Sequence, residues 1–142
     1  MIRLVLFAVA AWLFLIGVVV QVFLAGAGLF RLTDFTAHAG FGWMLASVPI
    51  LVLVLAMAAR VDRRTVLITL ALTVVTIIQP ELAAARHDNP VVAALHPVNA
   101  LLVFWLAWVV ARRATELARQ AMRRPTASTA ELPDEVSSAD AA

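Results

Sequence analysis

Charged side chains are absent from four long stretches of the 142-residue chain: Leu4–Phe30, Phe35–Ala59, Thr65–Pro80 and Pro90–Ala111. These run 27, 25, 16 and 22 residues, against about 20 for a helix that crosses the hydrocarbon of a bilayer. The third reaches that length if Leu82–Ala85 continues it, with Glu81 at the interface. None of the four shows the strict alternation of a half-buried strand, and backbone groups in lipid must be satisfied within the segment. The pattern therefore predicts helices over about 4–30, 35–59, 65–85 and 91–111. Short connections make sequential neighbours antiparallel. The fold class is all-α: an integral membrane four-helix bundle with a disordered C-terminal tail. The bundle occupies residues 1–113, and 114–142 form a cytoplasmic juxtamembrane basic segment and the tail. Residues 125–142 carry four acids, no basic group and only Leu132 and Val136 as aliphatics larger than alanine, too little apolar surface to fold alone. Ala25-Gly26-Ala27 resembles a signal-peptide cleavage site, but the apolar run before it exceeds the roughly 7–15 residues of a signal core. The first helix reads as a retained anchor.

Arginine sets the orientation. Arg3, Arg60, Arg63, Arg64, Arg112, Arg113, Arg119, Arg123 and Arg124 fall on one side of the predicted spans, and only Arg31 and Arg86 on the other. The positive-inside rule then places both termini in the cytoplasm of a bacterial plasma-membrane protein, with loops 31–34 and 81–89 facing out. The partner this charge serves is the lipid bilayer. A net charge of +2 gives no reason to invoke nucleic acid.

Composition narrows the chemistry. The chain is 63% hydrophobic and 14% charged, where a soluble domain has about 25% charged residues. It has no Cys, no Lys and no Tyr. Disulfides, Fe–S clusters, thiolate zinc sites and covalent c-type haem are excluded, as are a P-loop and a Schiff-base lysine. No nucleophile–base arrangement is visible, so no catalytic residue is assigned.

What remains inside the spans is paired. Gln21 precedes His38 by 17 residues, and Gln79 precedes His96 by the same 17. Sliding the chain by 58 superposes both pairs, together with Leu24 on Leu82 and Ala25 on Ala83. Helices 1–2 then map onto helices 3–4, so the bundle is made of two parallel-repeat helical hairpins, related by an axis along the membrane normal. That axis puts His38 and His96 on opposite walls, toward the outer end, and polar side chains in a membrane face the bundle interior. The interior stripes are Gly17, Gln21, Ala25 and Gly28 on helix 1, and Thr65, Thr69, Thr73, Thr76 and Gln79 on helix 3. The threonines read as helix packing, and Trp12, Trp105 and Trp108 as an interfacial belt.

Two facing neutral imidazoles across a four-helix bundle are the ligand set of a six-coordinate, non-covalent haem b. On this reading His38 and His96 are the metal ligands. Gln21 and Gln79 are groups that orient them, and Arg31 and Arg86, in the outer loops leading to each histidine, meet the haem propionates. Electron transfer or haem handling would follow, with a quinone, a redox enzyme or a second copy of the chain as partner. The alternative is a haem-free accessory or structural protein whose His and Gln residues hydrogen-bond between helices, at about 0.6 kcal/mol per pair. Zinc needs further ligands that the spans lack. Pro97 frees the carbonyl of Ala93 and reads as a packing kink, and Asn99 as either a partner of the histidine site or helix glue. Counted from the inner arginines, His38 is 22 residues before Arg60 and His96 is 16 before Arg112, an apparent depth difference of about 9 Å at 1.5 Å per residue.

The order Val20-Gln21-Val22-Phe23-Leu24-Ala25-Gly26, His38 heading helix 2, then Ile78-Gln79 and Leu95-His96 heading helix 4 resembles one half of a haem A synthase. The resemblance covers roughly residues 5–112 and implies His38 and His96 as axial ligands. This chain has one four-helix unit where that family has two, and no cysteine pair in its 31–37 loop. With its Leu95-His96-Pro97-Val98-Asn99 segment, the chain is also similar to an uncharacterised family of small bacterial four-helix membrane proteins.

Overall fold

A computed structural model describes residues 1–123, and the expected disordered tail lies outside them. The described chain is helical throughout: α1 (Ile2–Leu29), α2 (Thr36–Ala58), α3 (Arg63–Ala84), a 3-10 turn (Ala85–His87), the single turn α4 (Pro90–Ala93) and α5 (Leu95–Arg123). Four segments, the last joining α4 to α5, are long and apolar enough to cross a bilayer. The protein is a multi-pass membrane protein. Each of α1 and α3 packs on both α2 and α5, so α1 and α3 occupy one diagonal of the bundle and α2 and α5 the other.

Local chemistry ends the helices where loops are needed. After α1, Arg31 N–H donates to the Gly28 carbonyl and Leu32 N–H to that of Ala27, at 3.1 and 2.9 Å. After α2, Arg60 and Val61 repeat the arrangement on Met57 and Ala56. Both are Schellman closures, which require a left-handed residue at the turn. Here that residue is arginine, at φ 59° and 52°. The cation suits the negative end of the helix dipole, while its Cβ makes the conformation cost about 1 kcal/mol or more. At the start of α3, Asp62 caps the helix by accepting from Thr65 N–H. Asn89 caps α4 by accepting from Val92 N–H, with Pro90 in the first helical position.

Burial is concentrated in the inner part of the bundle. Phe7, Ala11, Phe14, Leu15 and Val18 of α1 meet Leu45, Val52 and Ala56 of α2, Leu72 of α3 and Val103–Ala114 of α5. Close approach depends on small residues: a Cβ at Gly17 would fall 2.6 Å from Leu45. The expected threonine stripe does face inward, and Thr65, Thr69, Thr73 and Thr76 are all buried. Thr69, Thr73 and Thr76 each donate to the carbonyl one turn back, at 2.7–2.9 Å. Three hydroxyls are thereby buried with their protons held inside the protein, as a dry span requires.

The last span differs from its sequence-based boundaries at both ends. A break at Ala94 separates α4 from α5, because Pro97 lacks the N–H that would bond the Ala93 carbonyl. At the other end the helix runs to Arg123 rather than stopping near 111. Charge ends a membrane span but not a helix, since Arg, Glu and Ala are strong helix formers. Ala114 and Ala118 stay buried, and Thr115 accepts from the Trp12 indole N–H at 2.9 Å. Arg112 and Arg113 thus sit within a continuing helix and do not mark the level that Arg60 marks. The apparent 9 Å offset between the histidines does not appear: their rings lie 6.3 Å apart.

Candidate functional site

His38 is the third residue of α2 and His96 the second of α5, so the two side chains enter the bundle from diagonally opposite helices near one end. Their ring centroids are 6.3 Å apart and their planes cross at 77°. Each ring is tied to its own hairpin in the same way. His38 Nδ1 lies 3.2 Å from the Gln21 carbonyl, and His96 Nδ1 lies 3.1 Å from the Gln79 carbonyl. A carbonyl oxygen only accepts, so in each neutral ring the proton sits on Nδ1 and the lone pair on Nε2. The 17-residue spacing therefore corresponds to a real contact, made through the glutamine backbone.

The glutamine amides break the symmetry. Gln21 Nε2 donates to the His38 carbonyl at 2.8 Å, and its Oε1 is buried with no partner among the described residues. Gln79 Oε1 instead accepts from Asn99 Nδ2 at 2.6 Å, and the same amide donates to the Val75 carbonyl at 2.8 Å. Asn99 is thus a clasp between α3 and α5. The 58-residue shift puts Phe41 at the matching place in the first hairpin, and no amide is available there.

Small residues and one aromatic complete the first hairpin's wall. A Cβ on Gly42 would meet Gln21 Nε2 at 2.5 Å, so glycine one turn below His38 leaves room for the Gln21–His38 bond. Phe35 stands edge-on to His38, at 6.1 Å between centroids. It also covers Gly28, where a Cβ would lie 2.9 Å from the ring. Gly28 belongs to the interior stripe and in addition makes room for Phe35, which the stripe alone does not imply. The sequence signal was a glycine seven residues before an aromatic across a short turn.

Four of the six expected site residues come together: His38, His96, Gln21 and Gln79. Arg31 and Arg86 lie exposed in the loops that precede α2 and α4. Arg86 Nη1 donates to the Ala83 carbonyl at 3.4 Å, and among the described residues neither arginine hydrogen-bonds to the histidines or glutamines. No group of three or more His, Asp or Glu side chains could hold a metal among the described residues. A bare zinc site is therefore not built.

A second polar cluster at the opposite end escaped the sequence reading. Thr65 Oγ1 donates to Asp62 Oδ2 at 2.6 Å and accepts from Arg113 Nε at 2.9 Å. Arg113 Nη2 also reaches both Asp62 oxygens at 3.3 Å. The bond from Thr65, joined by its backbone N–H and by the Arg113 charge, holds the Asp62 carboxyl below its ordinary value of 3.8 despite some desolvation. An acid just before a predicted helix with threonine three residues on was the available signal. The cluster joins the start of α3 to α5.

Four spans, with two histidines facing each other near one end of the bundle, describe a multi-pass membrane protein. The chain is similar over residues 21–85 to a family of unknown function (DUF6220), a region that contains Gln21, His38 and Gln79 but not His96. No curated protein and no solved structure matches the chain.

Proposed function

We propose that this membrane protein binds one b-type haem between His38 and His96 and acts in electron transfer or haem handling in a bacterial plasma membrane. The spacing of the two rings carries the reading. Two imidazoles that were to share one metal, with metal–nitrogen bonds of about 2.0–2.1 Å, would have ring centres about 6 Å apart. The observed 6.3 Å fits. With only two protein ligands at hand, the metal must bring its remaining donors with it, as the iron of a porphyrin does. When bound, haem supplies one-electron chemistry.

The protein's own groups have separable tasks. His38 and His96 offer Nε2 as ligand, and the Gln21 and Gln79 carbonyls fix the tautomer and hold each ring, as outer partners of metal-binding histidines do. Asn99 holds Gln79, and Gly42 leaves space for Gln21. Arg31 and Arg86, the cations nearest the outer end in sequence, are assigned to the propionates, and a quinone, redox enzyme or second copy of the chain to electron exchange. The arginine asymmetry supports cytoplasmic termini. A haem-free scaffold is the second reading, favoured by the Nδ1–carbonyl bonds, which by themselves join the helices of each hairpin.

Absorption spectra separate the two. Protein purified in detergent with haem supplied should show a sharp low-spin α-band on reduction, lost in both His38→Ala and His96→Ala. A folded, colourless wild-type protein would sink the haem reading and leave the scaffold.

A further inference from the structure

The end of the bundle opposite the histidines carries a feature that the haem reading does not use. Between α3 and α5 lies an open groove of about 540 Å³, lined by Arg63, Arg64, Leu67, Ile68, Ala71 and Leu106. Arg63 and Arg64, at the start of α3, border it, and four apolar side chains line the rest. Nearby acids are engaged elsewhere: Asp62 binds Thr65 and Arg113, and Glu116 lies 3.9 Å from Arg112. Among the described residues Arg63 and Arg64 form no ion pair, although they stand one and two residues from Asp62.

We propose that this groove binds an anionic phospholipid of the surrounding leaflet. The argument is one of complementary chemistry along a single direction. A guanidinium pairs with phosphate oxygens in a planar, bidentate manner and keeps its charge at any physiological pH. Leu67 and Ala71 follow Arg63 and Arg64 by one and two helical turns, so the groove passes from cationic to apolar toward the membrane centre. A phospholipid has the same order, phosphate at the interface and acyl chain below it. Basic pockets between transmembrane helices commonly recognise anionic headgroups in this way. A zwitterionic lipid brings the same acyl chain but cancels the phosphate charge with its own amine, and free phosphate lacks the chain. The chosen occupant is the one that uses both halves of the groove.

A second groove provides an internal control. It lies between α1 and α5, measures about 420 Å³, and has Arg119 as its only charged lining residue.

The test uses full-length protein in detergent, titrated with phosphatidylglycerol, phosphatidylcholine or inorganic phosphate and read by lipid-bound species in native mass spectrometry and by the thermal unfolding midpoint. Phosphatidylglycerol should bind and raise the midpoint, with phosphatidylcholine and phosphate having little effect. Arg63→Gln/Arg64→Gln should weaken that binding by roughly thirtyfold, from about 1 kcal/mol per charge. Ala71→Phe, at an exposed position, should fill the apolar half and abolish binding with both arginines intact. Arg119→Gln should leave it unchanged. Equal binding of phosphatidylcholine or equal protection by inorganic phosphate would overturn the assignment. So would wild-type affinity in both groove variants, or an equal loss in Arg119→Gln, which would indicate diffuse charge attraction. None of these readouts depends on haem.

Discussion

Asn99 and Gln79 show what a single amide does inside a bilayer. Asn99 Nδ2 donates to Gln79 Oε1 and to the Val75 carbonyl, so replacing it with alanine leaves two half-buried acceptors without their partner. Asn99→Ala should lower unfolding stability in detergent by about 1 kcal/mol, within the range of interhelical hydrogen bonds in membranes. It should also loosen the His96 ring, whose Nδ1 partner is the carbonyl of the same Gln79. Asn99→Ala should therefore shift any haem spectrum as well as the unfolding curve, which an effect on packing alone would not do. At this scale the sequence was partly readable. The 17-residue recurrence located both histidine–glutamine pairs, because lipid leaves an intramembrane polar group few places to point. The difference between Gln21 and Gln79 was hidden, since it depends on the tertiary neighbour, Phe41 in one hairpin and Asn99 in the other. Arg31 and Arg86 were legible only as the cations of the loops that lead to the two histidines.

For whole elements, the spans followed from charge-free length, while helix ends had to be read from capping chemistry. The sequence reading ended the fourth helix near 111, where charge begins; the helix continues because Ala114 and Ala118 still pack and Thr115 still receives Trp12. The start of α3 is fixed by Asp62. Its carboxyl is held below 3.8 first by the Thr65 hydroxyl bond, so the folded protein favours the charged form. The contribution is complete above about pH 4 and is lost as pH falls through the lower folded value. The unfolding midpoint should decline on acidification, and Asp62→Asn should flatten that decline, as measured by thermal melts from pH 6 to pH 2. At neutral pH, Asp62→Ala should cost about 1 kcal/mol through the lost cap. The Arg113 bond adds little by itself, since the Asp62 side chain is 46% exposed and exposed pairs are weak.

Taken as a whole, the molecule is asymmetric from end to end. Its tight core lies toward the end that carries the start of α1 and the α2–α3 loop, and its paired histidines toward the other, where Gln21, His38, Gln79 and His96 are only half-buried. Arginine asymmetry predicts cytoplasmic termini, and a chain without cysteine is ready for a labelling test. In intact cells, Thr33→Cys should react with a membrane-impermeant maleimide, and Val61→Cys should react only after the membrane is opened. The self-bonded threonines have a further consequence. Thr69 and Thr76 direct their protons to their own helix and Thr73 shares its proton between the Thr69 and Pro49 carbonyls, in a bundle where Phe14, Val52 and Leu72 are fully buried. The half of the bundle around these threonines is therefore apolar, while the histidine pair lies toward the other end. Haem-loaded protein oriented in sealed vesicles should be bleached or reduced by an impermeant reagent added on the loop side, and should be silent to the same reagent on the side of the termini.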